Sequence, residues 1–77
     1  MNFKQLSYFI AVAEELHFGR AAERLDMAQP PLSRQIKQLE EDLGAVLFNR
    51  GRSSISLTQA GERLLHRGKS IIAQLDD

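Results

Sequence analysis

Gln29 stands immediately before the doublet Pro30-Pro31, and Ser33, Arg34 and Lys37 follow close after it. Gln and Arg side chains can each place two hydrogen bonds on a base edge, and Ser can bond a base or a phosphate. Lys neutralises a phosphate. Proline fits the first turn of a helix, where an N–H has no partner to lose. The set therefore belongs at the start of a helix, where free backbone N–H groups and the positive helix end also favour phosphate. A second basic group, Arg50 and Arg52 with Ser53, surrounds Gly51. Arg20 lies upstream as a further candidate clamp on a phosphate backbone. Arg34, Lys37 or the charged turn on its own is more often simply solvated. Together they point to recognition of a polyanion.

Other chemistry is poorly served. His17 and His66 are 49 residues apart, and neither has a metal-ligand spacing. A lone histidine at a helix boundary, as His17 is, reads as a surface or capping residue. Glu40-Glu41-Asp42 reads as a solvated face, because adjacent helical carboxylates point in different directions. There are no cysteines, so disulfides and Cys-based zinc sites are excluded. The five glycines are scattered and form no phosphate loop. No residues offer a nucleophile, a base and an oxyanion donor together. The chain is not expected to be an enzyme, to bind a metal or to carry a cofactor.

The elements that must position the basic groups can be read from spacing. Seventy-seven residues make one small domain with a modest core. Asn2 is a good helix cap. Phe3, Leu6, Phe9, Ile10, Ala13 and Leu16 then recur at helical steps. A short second helix spans about Phe18 to Leu25, with Ala21 and Ala22 small enough to admit a close neighbour. Asp26 breaks it and tolerates the unusual backbone angles a turn needs. A third helix runs from Pro30, with Leu32, Ile36, Leu39 and Leu43 on one stripe and Pro30, Arg34, Lys37 and Glu41 opposite. Gly44 suits its end. Val46-Leu47-Phe48 and Ser54-Ile55-Ser56-Leu57 read as strands around a basic turn, Asn49 to Ser53. Thr58 can cap a last helix. The aromatics Phe3, Tyr8, Phe9, Phe18 and Phe48 fall on apolar faces or boundaries and read as core.

A short helix, a tight turn and a second amphipathic helix make a helix-turn-helix, whose second helix can enter a major groove by its N-terminal end. The basic hairpin makes it a winged version. Net charge is zero, which by itself argues against nucleic acid. The distribution argues the other way. Residues 17–39 carry four basic and two acidic side chains, Glu40, Glu41 and Asp42 follow, and Arg50 and Arg52 come next. The acidic end of the third helix would repel phosphate, so that helix should point its start into DNA.

In the last helix Leu65, Ile72 and Leu75, with Gly61 and Gly68, fit a 4-3-4-3 seam. Leu64 and Ile71 widen the stripe, so one edge can cover the core and the other a partner helix. No apolar run approaches a membrane span, and the N-terminus lacks a signal-peptide pattern, so the chain reads as cytoplasmic with no membrane partner.

Taken in order, Leu6-Ser7-Tyr8-Phe9-Ile10-Ala11-Val12-Ala13-Glu14, Phe18, Ala21-Ala22, Leu25, Gln29-Pro30-Pro31-Leu32-Ser33-Arg34-Gln35-Ile36, Leu39-Glu40, Leu43-Gly44, Leu47-Phe48, Arg50 and Leu57-Thr58-Gln59-Ala60-Gly61 resemble the DNA-binding domain of LysR-type transcriptional regulators. The resemblance covers essentially the whole chain. It implies a mainly α fold: a winged helix-turn-helix (a three-helix core with a short β-hairpin wing) followed by a linker helix that pairs two domains. The expected division is 1–57 for DNA binding and 58–77 for a linker helix cut within or beyond its length. The resemblance further implies sequence-specific binding of double-stranded DNA in bacterial transcription regulation. A homodimer would read an interrupted inverted repeat, and the full-length protein would be a tetramer. Family contacts map onto Gln29, Pro30, Pro31, Ser33 and Arg34, with Arg50 and Arg52 in the wing; geometry adds Lys37 and Arg20. Leu65, Ile72 and Leu75 are the expected dimer contacts. A small-molecule effector is expected only in a larger C-terminal domain, which these residues do not include. The competing reading is a winged-helix protein-interaction module that works through its last helix.

Overall fold

The structure, a computed structural model, describes residues 1–76, with side chains as far as Leu75; Asp77 lies outside them. Four helices and one hairpin follow in the order α1 (Phe3–Glu15), α2 (Phe18–Arg24), α3 (Gln29–Leu43), β1 (Phe48–Arg50), β2 (Ile55–Leu57) and α4 (Gln59–Asp76). Local chemistry sets most boundaries. The Asn2 side chain accepts from the Gln5 N–H at 2.8 Å, and the Gln5 side chain accepts in return from the Asn2 N–H. That reciprocal box satisfies two donors that a helix start leaves open. His17 caps α2, its Nδ1 accepting from the Arg20 N–H at 3.0 Å. The α2–α3 turn passes through Asp26 at φ 54°, the left-handed region that a short polar side chain tolerates. Gly44 ends α3 at φ 65°.

The three amphipathic helices close on one core. Phe9, Val12, Leu32, Ile36, Leu39, Leu47 and Phe48 are its largest fully buried side chains. Ala21 and Ala22 are buried where α2 packs on α1 and α3, and their single methyl groups permit that approach. Gln5, also buried, donates through Nε2 to Gln35 Oε1 at 3.2 Å, joining α1 to α3. Tyr8 and Phe18 pack on the core's edge, as expected of core aromatics. Phe3 departs from that expectation and is 54% exposed.

The first strand starts two residues later than its apolar run predicts, whereas the second, Ile55–Leu57, lies within the expected Ser54–Leu57. Phe48 pairs with Leu57, Asn49 with Ser56 and Arg50 with Ile55, so Asn49 and Arg50 belong to a strand and not to the turn. The turn itself is closed by the Gly51 N–H donating to the Ser54 carbonyl at 2.8 Å. The cause lies in competing partners for residues 46–47. The Leu47 N–H donates to the Glu40 carboxylate at 2.7 Å. The Leu47 carbonyl accepts from the Thr58 N–H at 3.0 Å, and the Val46 carbonyl from the Thr58 hydroxyl at 2.6 Å. That segment is spent on tying the wing to α3 and α4.

Thr58 also caps α4, its Oγ1 accepting from the Gly61 N–H at 3.0 Å. The expected partner-facing seam of α4 turns out to face inward. Gly61 lies against the Leu47 carbonyl, and a Cβ at Gly68 would come within 2.9 Å of Leu6 Cδ1. Leu65 and Ile72 are half-buried against the same core. The domain itself thus takes up part of the surface of these two expected dimer contacts. Leu75 stays 63% exposed, and its neighbour Ile71, on the adjoining edge, 47%. Polar contacts fix the crossing of α4 over α1: Lys69 Nζ lies 3.0 Å from Glu14 Oε2, while Arg24 of α2 reaches Glu14 Oε1 at 2.8 Å. The Arg24 guanidinium, and then the Lys69 ammonium, hold the Glu14 carboxyl below the ordinary carboxylate range.

Candidate nucleic-acid interface

The buried stripe of α3 dictates what its other face can offer. Leu32, Ile36 and Leu39 are completely buried. That anchorage turns Gln29, Pro30, Arg34 and Lys37 outward, with Pro31 and Ser33 half-exposed beside them. Arg34 and Lys37 make no ion pair among the described residues. The i+4 partners Gln38 and Glu41 leave them free; Gln38 instead donates to Asp42 at 2.9 Å.

The helix start differs in one respect from the expectation of several open N–H groups. Ala28 precedes α3 and its side chain provides no cap. Of the four N–H groups that a helix start leaves open, Pro30 and Pro31 remove two. Backbone donation there falls to Ala28 and Gln29, and the side chains carry more of the task.

A groove of about 360 Å³ runs between the α2 start, the α3 start and the wing. Gln29, Arg52 and Ser53 line it together with His17 and Gly19. The fold therefore brings the first residue of α3 and the turn of the wing to one concave edge. Arg20, Arg34 and Lys37 are exposed but do not line this groove. Arg20 stands in the first turn of α2 with no ion pair among the described residues.

Arg50 does not sit free at a basic tip. It lies in β1, with Nη2 3.2 Å from Glu40 Oε1, and its guanidinium carbon stands 5.1 Å from the centre of the Phe18 ring. Glu40 is the residue whose role the sequence concealed. Its side chain is only 14% exposed, and its carboxylate accepts from the Leu47 N–H, the Phe48 N–H and Arg50. It is thus no part of a solvated acidic face. Its spacing from Leu47 and Arg50 was the only available signal.

Glu40→Ala should cost about 1–3 kcal/mol of stability, because two wing N–H groups and a guanidinium lose their acceptor. Glu40→Gln keeps one acceptor oxygen and should cost less. Urea unfolding of both variants measures this. An alanine variant that unfolds with the native midpoint would show that the carboxylate does not hold the wing.

A model of the bacterial regulatory helix-turn-helix proteins of the lysR family matches residues 3–62. The chain belongs to that family. It is 55% identical over 75 residues to the HTH-type transcriptional regulator AlsR of Bacillus subtilis, covering 97% of this chain and 25% of that protein. It is 51% identical over 76 residues to XapR of Escherichia coli, also an HTH-type transcriptional regulator, covering 99% of this chain and 26% of that protein. The chain thus spans about a quarter of the length of these curated relatives. Among solved structures, the complex of the CbnR DNA-binding domain with DNA is similar at TM-score 0.92 and 46% identity, covering 99% of this chain and 87% of that one. The complex of the BenM DNA-binding domain with catB site 1 DNA is similar at TM-score 0.94 and 42% identity, covering 99% and 84%. The fold is therefore the LysR-family winged helix-turn-helix, as its sequence pattern led one to expect. Among the described residues no helix is long and apolar enough to cross a membrane.

Proposed function

We propose that the chain is a sequence-specific reader of double-stranded DNA in transcription regulation. The observation that carries this is α3 itself: a completely buried stripe behind an exposed row of Gln29, Ser33, Arg34 and Lys37. Gln29 and Arg34 supply two-pronged contacts to base edges, Pro30 and Pro31 shape the entering turn, and Ser33 and Lys37 serve phosphate. Arg52 and Ser53 reach a flanking phosphate from the wing, with Arg20 on the backbone beyond α2. Arg50 positions the wing through Glu40 and presents only its open edge. The likeness to two domains solved on DNA supports the reading.

Residues 1–57 form the reading unit, and the segment from Thr58 onward, with α4, supplies the linker helix, which pairs two copies. Ile71 and Leu75 supply the apolar edge for that pairing, since Leu65 and Ile72 serve the domain's own core. Zero net charge implies modest non-specific affinity, so two linked half-sites matter for tight binding.

Selection from a random duplex pool at near-physiological salt tests all of this. Inverted, spaced half-sites are the expected product. Single half-sites would overturn pairing through α4 but leave DNA reading intact. No enrichment by demonstrably folded protein would favour the interaction module instead.

A further inference from the structure

His17 has a second face that its capping role leaves unused. Its Nδ1 accepts the Arg20 N–H at 3.0 Å, so that nitrogen carries no proton. In a neutral imidazole the proton must then sit on Nε2, fixed there by the cap as a second-site hydrogen bond fixes a tautomer. Nε2 has no hydrogen-bond partner among the described residues. The ring is exposed and lines the groove that also holds Gln29, Arg52 and Ser53. Gly19 makes room for it, since a Cβ there would come within 2.9 Å of the His17 ring and 3.7 Å of Gln29 Oε1.

We infer that His17 is a DNA-positioning residue, whose Nε2–H, oriented by the bond that Nδ1 accepts from the Arg20 N–H, donates to a backbone phosphate at the edge of the groove between α2, α3 and the wing. This rests on the DNA-reading function proposed above. The contact is distinct in kind from those of Arg52 and Lys37. A contact made by the capped, uncharged ring releases no counterion, and the bond that orients it belongs to the protein's own backbone. A donor locked in this way loses no rotamer freedom on binding beyond what the cap has already taken. Its effect would be to set how α2, and with it the start of α3, sits against the DNA backbone.

His17→Asn separates the two roles. Asparagine caps a helix as well as any residue, so thermal unfolding should not change, but its amide N–H groups stay close to the backbone and cannot reach where the ring Nε2–H stands. Binding to a selected duplex, titrated at mildly alkaline pH over a range of salt, should weaken roughly 3- to 10-fold, the worth of one hydrogen bond. The slope of log affinity against log salt should stay as in the native protein. Arg52→Ala should instead flatten that slope by about 0.9 for one phosphate contact. Gly19→Ala, which displaces the ring, should weaken binding similarly, and the double variant should be no weaker than His17→Asn alone.

Unchanged affinity of His17→Asn overturns the inference. So does a loss accompanied by a flatter salt slope, which would mean a charged imidazole without the cap. A native protein that binds no duplex overturns the DNA-reading function as well, and the two failures are therefore told apart by the native control.

Discussion

Phe48→Ala is expected to cost about 3–5 kcal/mol of folding stability, the range for emptying a buried aromatic site. The ring is 1% exposed. Its centre lies 5.4 Å from that of Phe9 on α1 and 6.1 Å from that of Phe18 on α2, in tilted and edge-on arrangements. Those separations are within the range where aromatic pairs add to simple burial. The loss is also spread over three elements. Phe18 is the ring beneath the Arg50 guanidinium, and the Phe48 N–H itself points to Glu40. The cavity cannot close without moving the wing, because the neighbouring Leu47 is held by Glu40 and Thr58. A small domain has about 5–15 kcal/mol in total, so this one truncation removes a large part of it. At about 1 kcal/mol per molar urea for a chain this short, the midpoint should fall by about 3 M or the transition should vanish. Phe48→Leu should retain most of the stability. A midpoint for the alanine variant close to the native one would mean that the ring is not what seats the wing on the helices.

The helices were legible because their signals are local. Asn2, the Pro30-Pro31 doublet, Gly44 and Thr58 each mark a boundary by chemistry that needs no tertiary partner. Asp26 was legible for the same reason: its side chain permits the turn. The stripe Leu32, Ile36, Leu39 settled which face of α3 is free, and so the exposed row that the function needs. What escaped was whatever depends on a distant partner. The strand β1 begins at Phe48 because Glu40 and Thr58 take the polar groups of residues 46–47, and nothing in an apolar run announces that competition. Glu40 was hidden for the complementary reason: within Glu40-Glu41-Asp42 only one carboxylate turns back on the wing. On α4 a heptad-like seam predicts a facing helix but not whose helix it is. Gly61 and Gly68 show that here the facing surface is the domain's own. At a helix boundary His17 reads as a surface or capping residue, and it caps α2; the unused ring nitrogen becomes meaningful only with the wing beside it.

Arg34→Ala should weaken binding to the preferred duplex by about 1–3 kcal/mol, roughly 5- to 150-fold, if its guanidinium reads a guanine. Folding should not respond. The side chain is exposed, makes no ion pair among the described residues, and projects from a helix whose buried stripe is complete without it. The loss must also be selective. Lys37, a compact charge farther along α3, should on removal weaken all duplexes alike and lower the salt dependence. Arg34 should lose most of its advantage at one base pair and little elsewhere. Arg34→Lys sharpens the distinction, since an ammonium keeps the charge but not the planar pair of donors. It should restore non-specific affinity without restoring the preference. Competition titrations against single-base variants of the selected site measure this directly. If Arg34→Ala binds all of them with native affinity and native ranking, α3 reads DNA without this residue. If it weakens all of them equally, Arg34 is a phosphate contact, and Gln29 is left as the principal two-pronged reader at the helix start.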